Sequence, residues 1–290
     1  MAELWHTVWH VLSHALLDTA MVLPFLFLTY LFMEFLEHKA GDGFLRVVSR
    51  AGRAGPVLGA ALGLLPQCGF SAAAAGLFSG RVITVGTLLA VFLATSDEMI
   101  AVFLGQGLSW RVVLTTLGIK LVVATLFGYL VDLLLFKKRE LAVSDLCEEE
   151  GCHCERGILL SALHHTLGIG LFVLIVNVAL GALLEWVGAE EVAAWLGGVP
   201  VLGQCVTALV GLIPNCAASV AVATLYAKGV VSAGSMLAGL LTGAGAGLLV
   251  LFRSNGRLLD NLAFAGVLLA IGVSVGCLFD YTGLAALLGL

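Results

Sequence analysis

Residues 63–80 read GLLPQCGFSAAAAGLFSG, and residues 211–228 read GLIPNCAASVAVATLYAK. A shift of 148 positions superposes the two stretches without a gap, and Pro66, Cys68 and Ser71 then meet identical residues. An internal repeat decides the fold, because each copy is expected to build the same arrangement of helices. Both copies place a proline, a polar residue and a cysteine inside apolar sequence, which is the pattern of a broken membrane helix at a transporter binding site.

The composition indicates an integral membrane protein. Of the 290 residues, 60% are hydrophobic and 11% are charged, whereas soluble domains carry roughly 25% charged residues. The 36 glycines suit close packing of helices in lipid. The sequence contains no Walker A motif, no H-E-x-x-H motif and no G-x-G-x-x-G after a strand, so we expect no enzyme and no ATP-driven transport by this chain itself. The expected partners are the lipid bilayer and a small ion or solute, with no nucleic acid.

The apolar segments fall into two sets of five. The first repeat (1–136) contains segments A (11–36), B (44–65), C (69–80), D (82–104) and E (111–136), and the second (158–290) contains A′ (158–186), B′ (190–213), C′ (216–227), D′ (230–252) and E′ (261–289). Segments C and C′ are too short to span the roughly 30 Å hydrocarbon core. We therefore predict an all-α membrane protein of two inverted-topology repeats, with paired re-entrant or broken helices that carry Pro-x-Cys tips.

The basic residues predict the orientation. If B–C and B′–C′ are re-entrant hairpins, 11 of the 14 Lys and Arg residues fall on one side, with Arg111 and Lys228 on the other and Lys120 inside segment E. The positive-inside rule makes the crowded side cytoplasmic, so the polar linker 137–157 is cytoplasmic and both termini are outside. If B and C instead each cross the membrane, the repeats are still inverted, but the basic residues segregate less cleanly.

The two tips are the first candidate site. Pro66 and Pro214 each end a half-helix, because proline lacks an N–H and disfavours helix at the residue before it. Irregular backbone at membrane depth is tolerated only where protein or a water-filled cavity surrounds it. The predicted substrate-binding residues are small and polar: Gln67, Cys68, Ser71, Thr95, Ser96, Asn215, Cys216 and Ser219. The alternative is that the tip residues only cap the broken helices.

Segment D is expected to be interrupted at Thr95–Glu98, and the acidic residues there are the second candidate site. Ser96, Asp97 and Glu98 align with Ala244, Gly245 and Ala246 in D′, and intramembrane acids are functional by default. Asp97 and Glu98 form a predicted metal site with His14 and Asp18, which share one face of segment A, since imidazole with carboxylates suits Mn²⁺, Zn²⁺ or Fe²⁺. The alternatives are proton coupling or an ion pair of Asp97 and Glu98 with Lys120, and a solvated helix end for His14 and Asp18.

The linker holds a third candidate site, whose thiol and imidazole groups are Cys147, Cys152, His153 and Cys154. Their chemistry fits capture of zinc or another thiophilic metal, although the spacing is not that of a zinc finger. The alternative is a flexible acidic linker in which the cysteines are incidental.

The run LLPQCGFSAAAAGLFSGRVITVGTLLAVFLATSDE, with GLIPNCAASVAVATLYAKG and GLLTGAGAGLLVLFRSN, resembles the ten-helix manganese and heavy-metal exporters, which are also described as arsenic-permease-like. The resemblance covers both halves and is most specific at the two Pro-x-Cys tips and at Thr95–Glu98. It implies a permease of ten helical segments in the bacterial inner membrane that moves a metal or metalloid outward. The tip glycine of the first copy, Gly69, is Ala217 in the second, so the two tips are not equivalent.

These observations together predict a secondary transporter that exports a divalent metal, Mn²⁺ first, by proton-coupled alternating access. Two other hypotheses stay open. The first is a permease for a small anion, metalloid or organic solute held by helix N-termini at the tips. The second is a membrane metal sensor or partner subunit that acts through the linker. Glycine-rich faces such as Gly239–Gly243 fit packing within one protomer or between two, so a homodimer is one candidate assembly.

Overall fold

The computed structural model describes residues 9, 11–13, 15–17, 19–20, 23–24, 27–28, 30–31, 54–65, 68–96, 99–135, 158–187 and 201–285. The described residues form helices and connecting turns, with no strand among them. The prediction of an all-helical chain is therefore confirmed for this part of the protein.

All described residues between 9 and 31, the N-terminal segment, are helical. The following helices are α1 Gly55–Gly63, α2 Cys68–Ser79, α3 Val85–Ala94, α4 Met99–Gly105, α5 Trp110–Leu135, α6 Ile158–Val187, α7 Leu202–Gly211, α8 Cys216–Ala227, α9 Ala233–Thr242, α10 Ala246–Ser254 and α11 Leu258–Thr282. Helices α1–α5 belong to the first predicted repeat, and α7–α11 follow in the same order in the second.

Five stretches of the described residues are long and apolar enough to cross a membrane. They are Val85–Gly105, Trp110–Leu134, Ala162–Ala179, Ala233–Ser254 and Leu258–Thr282. At 1.5 Å per residue, even the shortest of them covers about 27 Å, close to the roughly 30 Å of a hydrocarbon core. Large apolar side chains such as Leu133 and Leu259 are 81% exposed on their surfaces. These helices indicate a membrane protein.

In the first half, α1, α3 and α5 all pack against one another. A Cβ at Gly63, the last residue of α1, would lie 3.0 Å from the Cβ of Ala94, the last residue of α3. A Cβ at Gly86 would collide with the carbonyl oxygen of Gly128 on α5. Glycine is therefore required at Gly86, because the α3 and α5 backbones are nearly in contact there.

A carboxylate fixes the start of α3 to the end of α5. Thr84 caps α3, its Oγ1 accepting from Thr87 N at 3.0 Å, and the same hydroxyl donates to Asp132 Oδ2 at 2.7 Å. Asp132 Oδ1 also accepts from Gly86 N at 2.8 Å. Two amides of the first helical turn, which have no partner within a helix, are thereby satisfied.

The second half repeats this contact 148 positions later. Ser232 caps α9, Asp280 on α11 accepts from Ser232 Oγ at 2.5 Å and from Gly234 N at 2.9 Å, and Gln204 of α7 donates to the same carboxylate at 2.5 Å. A Cβ at Gly234 would collide with the carbonyl oxygen of Gly276, as at the equivalent positions of the first half. Equivalent residues thus form equivalent contacts in the two halves.

The two halves are also packed into each other. Helix α2 lies along α10, with Ser71 against Gly247 and with Ser79 Oγ 2.7 Å from Ser254 Oγ. Helix α8 lies along α4, where the rings of Tyr226 and Phe103 are 5.8 Å apart. The buried core is shared by both halves as a result.

Segments D and D′ are both discontinuous helices. The break expected at Thr95–Glu98 lies between α3 and α4, where Thr95 and Ser96 are not helical. The sequence did not predict the break at Gly243–Gly245 between α9 and α10, where Gly245 has φ +54°. Helix α11 in segment E′ ends at Thr282, where Gly283 adopts a left-handed conformation with φ +70°. Leu284 and Ala285 are helical again, and residues 286–289 of the predicted segment lie outside the described residues.

Candidate functional site

The two helix breaks meet at the side chain of Lys120. Lys120 comes from the middle of α5 and is completely buried. Its Nζ donates to the carbonyl oxygen of Thr95 at 2.5 Å and to that of Leu240 at 2.6 Å. Thr95 ends α3 in the first half, and Leu240 is in the last turn of α9 in the second. One ammonium group therefore joins the ends of two half-helices from different halves.

The chemistry of a helix end explains this arrangement. The last four carbonyl groups of a helix have no amide partner within it, and they carry a partial negative charge. Because α9 stops at Thr242, the carbonyl of Leu240 is one of these groups. A buried lysine must itself be paired with acceptors. The ammonium and the helix ends thus satisfy each other.

Only the first half supplies this cation. The position equivalent to Lys120 is Leu268 on α11, which is also completely buried. The two breaks also differ in polarity: Thr95–Glu98 has hydroxyl and carboxyl side chains, whereas the aligned Gly243–Ala246 consists of glycine and alanine. The polar chemistry of the central region is therefore asymmetric, although the helices around it are repeated.

Thr95 and Ser96, both predicted to bind substrate, are buried at the first break with exposures of 4% and 1%. Their hydroxyl groups donate to α3 backbone carbonyls, Thr95 Oγ1 to Val91 at 2.8 Å and Ser96 Oγ to Ala94 at 2.9 Å. Each hydroxyl oxygen can still accept a hydrogen bond or bind a cation. These two residues cap the end of α3, and the lone pairs of their hydroxyl oxygens are the groups that could bind a ligand.

Ser71, on α2, is buried beside the second break. A Cβ at Gly247 would lie 2.7 Å from the Cβ of Ser71, so α2 and the start of α10 are in direct contact. In the second half, Asn215 and Ser219 are partly exposed at the start of α8. The backbone of Asn215 donates to Ile213 O at 2.7 Å and accepts from Ala218 N at 3.1 Å, which tightens the turn before α8.

The other predicted site residues cannot be placed against these contacts. Cys68 and Cys216 begin α2 and α8, but their side chains lie outside the described residues. The remaining predicted groups also lie outside them: Gln67, His14, Asp18, Asp97, Glu98, Cys147, Cys152, His153 and Cys154. Within the described part of the chain, no group of three or more His, Cys, Asp and Glu side chains is placed to hold a metal ion. The metal sites stay predictions.

Sequence reasoning missed the two capping aspartates. Asp132 and Asp280 are separated by the same 148 positions as the tips, and so are their partners Thr84 and Ser232. The 148-residue repeat therefore includes these residues, but they lie outside the two most similar stretches, 63–80 and 211–228. These residues lie at the far ends of α3 and α9 from the breaks and hold the framework.

Comparison with protein-family models, with curated proteins and with solved structures finds no match.

Proposed function

We propose that this protein is a secondary-active transporter that works by alternating access around the central region, defined as Thr95, Ser96, Lys120 and residues 240–245. The observation that carries the proposal is the meeting of two discontinuous helices, one from each half, at one buried lysine. Transporters built from repeats bind substrate and coupling ions at such helix breaks near the bilayer midplane.

The direction of packing supports inverted repeats. Helix α1 runs parallel to α3, since Gly59 lies against Thr87 and Gly63 against Ala94. The chain then turns, and α2 returns towards the start of α3. Helix α2 in turn runs parallel to α10, which continues α9 beyond its break. Helices α3 and α9 then run in opposite directions, as two inverted repeats require.

The lengths of the short helices support re-entrant hairpins. Helix α2 has 12 residues and covers about 18 Å, too little to span the core. Helix α1 ends at Gly63, beside Ala94 at the end of α3 and therefore next to the first break. In the second half, Gly211 at the end of α7 lies against Gly239 and Thr242, beside the second break. We propose that both Pro-x-Cys tips reach the central region.

We propose Mn²⁺ or a related divalent metal as the exported substrate and protons as the coupling ions. Asp97 and Glu98 directly follow Ser96 in the sequence, and carboxylates are suitable ligands for Mn²⁺. Because carboxylates bind metal only when ionised, metal binding releases protons and proton binding releases metal, which is the requirement for antiport. On this proposal His14 and Asp18 add ligands, and the linker residues 147–154 capture metal in the bacterial cytosol.

The test is metal flux into liposomes that contain purified protein, measured for Mn²⁺, Zn²⁺ and Fe²⁺ with and without a pH gradient. We expect Asp97→Asn to abolish flux while the protein level and melting temperature are unchanged. The matched control is Asp260→Asn, which removes an exposed carboxylate paired with Arg257 at 3.9 Å. Flux that persists in Asp97→Asn would rule out the metal role of this residue.

A small anion is the second candidate substrate. The observation that favours it is the buried positive charge of Lys120 beside both breaks, together with the absence of acids from Gly243–Ala246. An anion carrier would transport normally when Asp97 and Glu98 are neutralised and would fail in Lys120→Met. A metal carrier gives the opposite result for the two acidic residues.

A further inference from the structure

We propose that the carbonyl oxygens of Thr95 and Leu240 form a binding site for a monovalent cation, and that the Lys120 ammonium fills this site as a tethered cation. The proposal does not depend on what the protein transports. It concerns what holds the ends of α3 and α9 together.

The contacts have the chemistry of a cation site. Both acceptors are backbone carbonyl oxygens at or near helix C-termini, 2.5 and 2.6 Å from Nζ. Carbonyls at the ends of half-helices and in unwound backbone coordinate Na⁺ in repeat-built transporters, and carbonyl oxygens replace the hydration shell of ions in channel filters. Neutral dipoles from two helix ends suit a single positive charge.

Comparison of Lys120 with the equivalent residue of the second half distinguishes a role of its charge from a role in packing. The equivalent position is occupied by Leu268, which packs equally buried without a charge. A long polar side chain is thus not required to fill space at this level of the helices. A lysine suits a position where its side chain reaches carbonyl oxygens at two helix ends, because its ammonium is a compact group with three donors.

The proposal has a direct consequence for truncation. Shortening Lys120 to alanine removes the tethered charge, leaves the carbonyls of Thr95 and Leu240 without this donor, and opens a space lined by them. A small cation from solution then replaces the ammonium. In Lys120→Met the carbonyls lose the same donor, but the space is filled by an apolar chain of similar length. Both variants therefore lose the charge, but only Lys120→Ala leaves room for a cation from solution.

The experiment measures thermal unfolding of purified full-length protein in detergent, in 100 mM ammonium, sodium or choline chloride at one pH. We expect Lys120→Ala to melt at least about 2 °C higher in ammonium than in choline, the shift that binding at about ten times the dissociation constant gives to a chain of this size. Wild type and Lys120→Met should show no difference between the salts. A matching rise in sodium would extend the site to metal cations and supports the same proposal.

The matched control is Leu268→Ala, which opens a cavity at the equivalent position of the second half. It should lose stability to the same extent in all three salts. The proposal is overturned if Lys120→Ala melts equally in all salts, or if Leu268→Ala shows the same response to ammonium. Should Lys120→Ala not fold, Lys120→Ser takes its place, and failure of both to give folded protein in ammonium also overturns the proposal. Flux assays play no part, so a wrong transport proposal leaves this result intact.

Discussion

Replacing Asp132 by alanine tests whether the capping carboxylate holds the α1–α3–α5 framework together. The side chain accepts two hydrogen bonds, from Thr84 Oγ1 at 2.7 Å and from Gly86 N at 2.8 Å. Hydrogen bonds to a charged group contribute about 1.5–3 kcal/mol each. Asp132 is only partly buried, so solvent screening reduces the sum, and we expect a loss of about 2–3 kcal/mol.

A loss of that size lowers the melting temperature by about 4–12 °C, at about 2–4 °C per kcal/mol. Asp132→Asn should lose about half as much, because its amide oxygen still accepts from Gly86 N while its NH₂ group cannot accept from Thr84. Asp280→Ala should lose more than Asp132→Ala, since Asp280 accepts from Gln204 in addition to its two repeated partners.

The assay is thermal unfolding of detergent-purified protein, in which the fraction that stays monodisperse after heating is measured at each temperature. Asp260→Ala is the control, because this carboxylate is 56% exposed and its ion pair with Arg257 is long, at 3.9 Å. Exposed pairs of this kind contribute at most about 1 kcal/mol. Melting temperatures of Asp132→Ala and Asp280→Ala within about 1 °C of the control would refute the reasoning.

Two glycine substitutions test the close contacts. Gly86→Ala should lower the yield of folded protein sharply, because its Cβ collides with the carbonyl oxygen of Gly128, while Gly118→Ala, with open space around it, should be neutral or stabilising in the same detergent-solubility assay. Gly247→Ala should destabilise the protein by separating α10 from Ser71, whereas Gly266→Ala should not, as measured by melting temperature; equal effects of the two would contradict the packing of α2 on α10.

The repeated tip motif allowed much of the fold to be predicted from sequence. Equal spacing of Pro66 and Pro214 in apolar surroundings is enough to expect two sets of helices with matching interruptions. The first break was predictable because Asp97 and Glu98 are costly in a membrane helix. The second was not, because Gly243–Gly245 is as apolar and small as glycine-rich packing faces elsewhere in the chain, and nothing in it excludes a continuous helix.

The two carbonyl partners of Lys120 were also beyond prediction. Sequence reasoning looks for a carboxylate near a buried lysine, and Asp97 and Glu98 offered one. Two contacts of its Nζ are with the backbone carbonyls of Thr95 and Leu240. The ion pair with Asp97 or Glu98 stays a prediction, because both residues lie outside the described part of the chain. A carbonyl is present at every position, so no residue type marks it. Only the ending of two helices at the same place makes those two carbonyls available.

The order in which the chain is made gives Lys120 a further consequence. Leu240 follows it by 120 residues, so α5 enters the membrane well before one acceptor of its ammonium has been synthesised. A lysine at the middle of a membrane helix costs about 3 kcal/mol on insertion scales. The first half therefore lacks the Leu240 acceptor of this ammonium until α9 arrives. Biogenesis of the two halves is coupled through that one side chain, and a truncated first half would expose the charge to the quality control of the membrane.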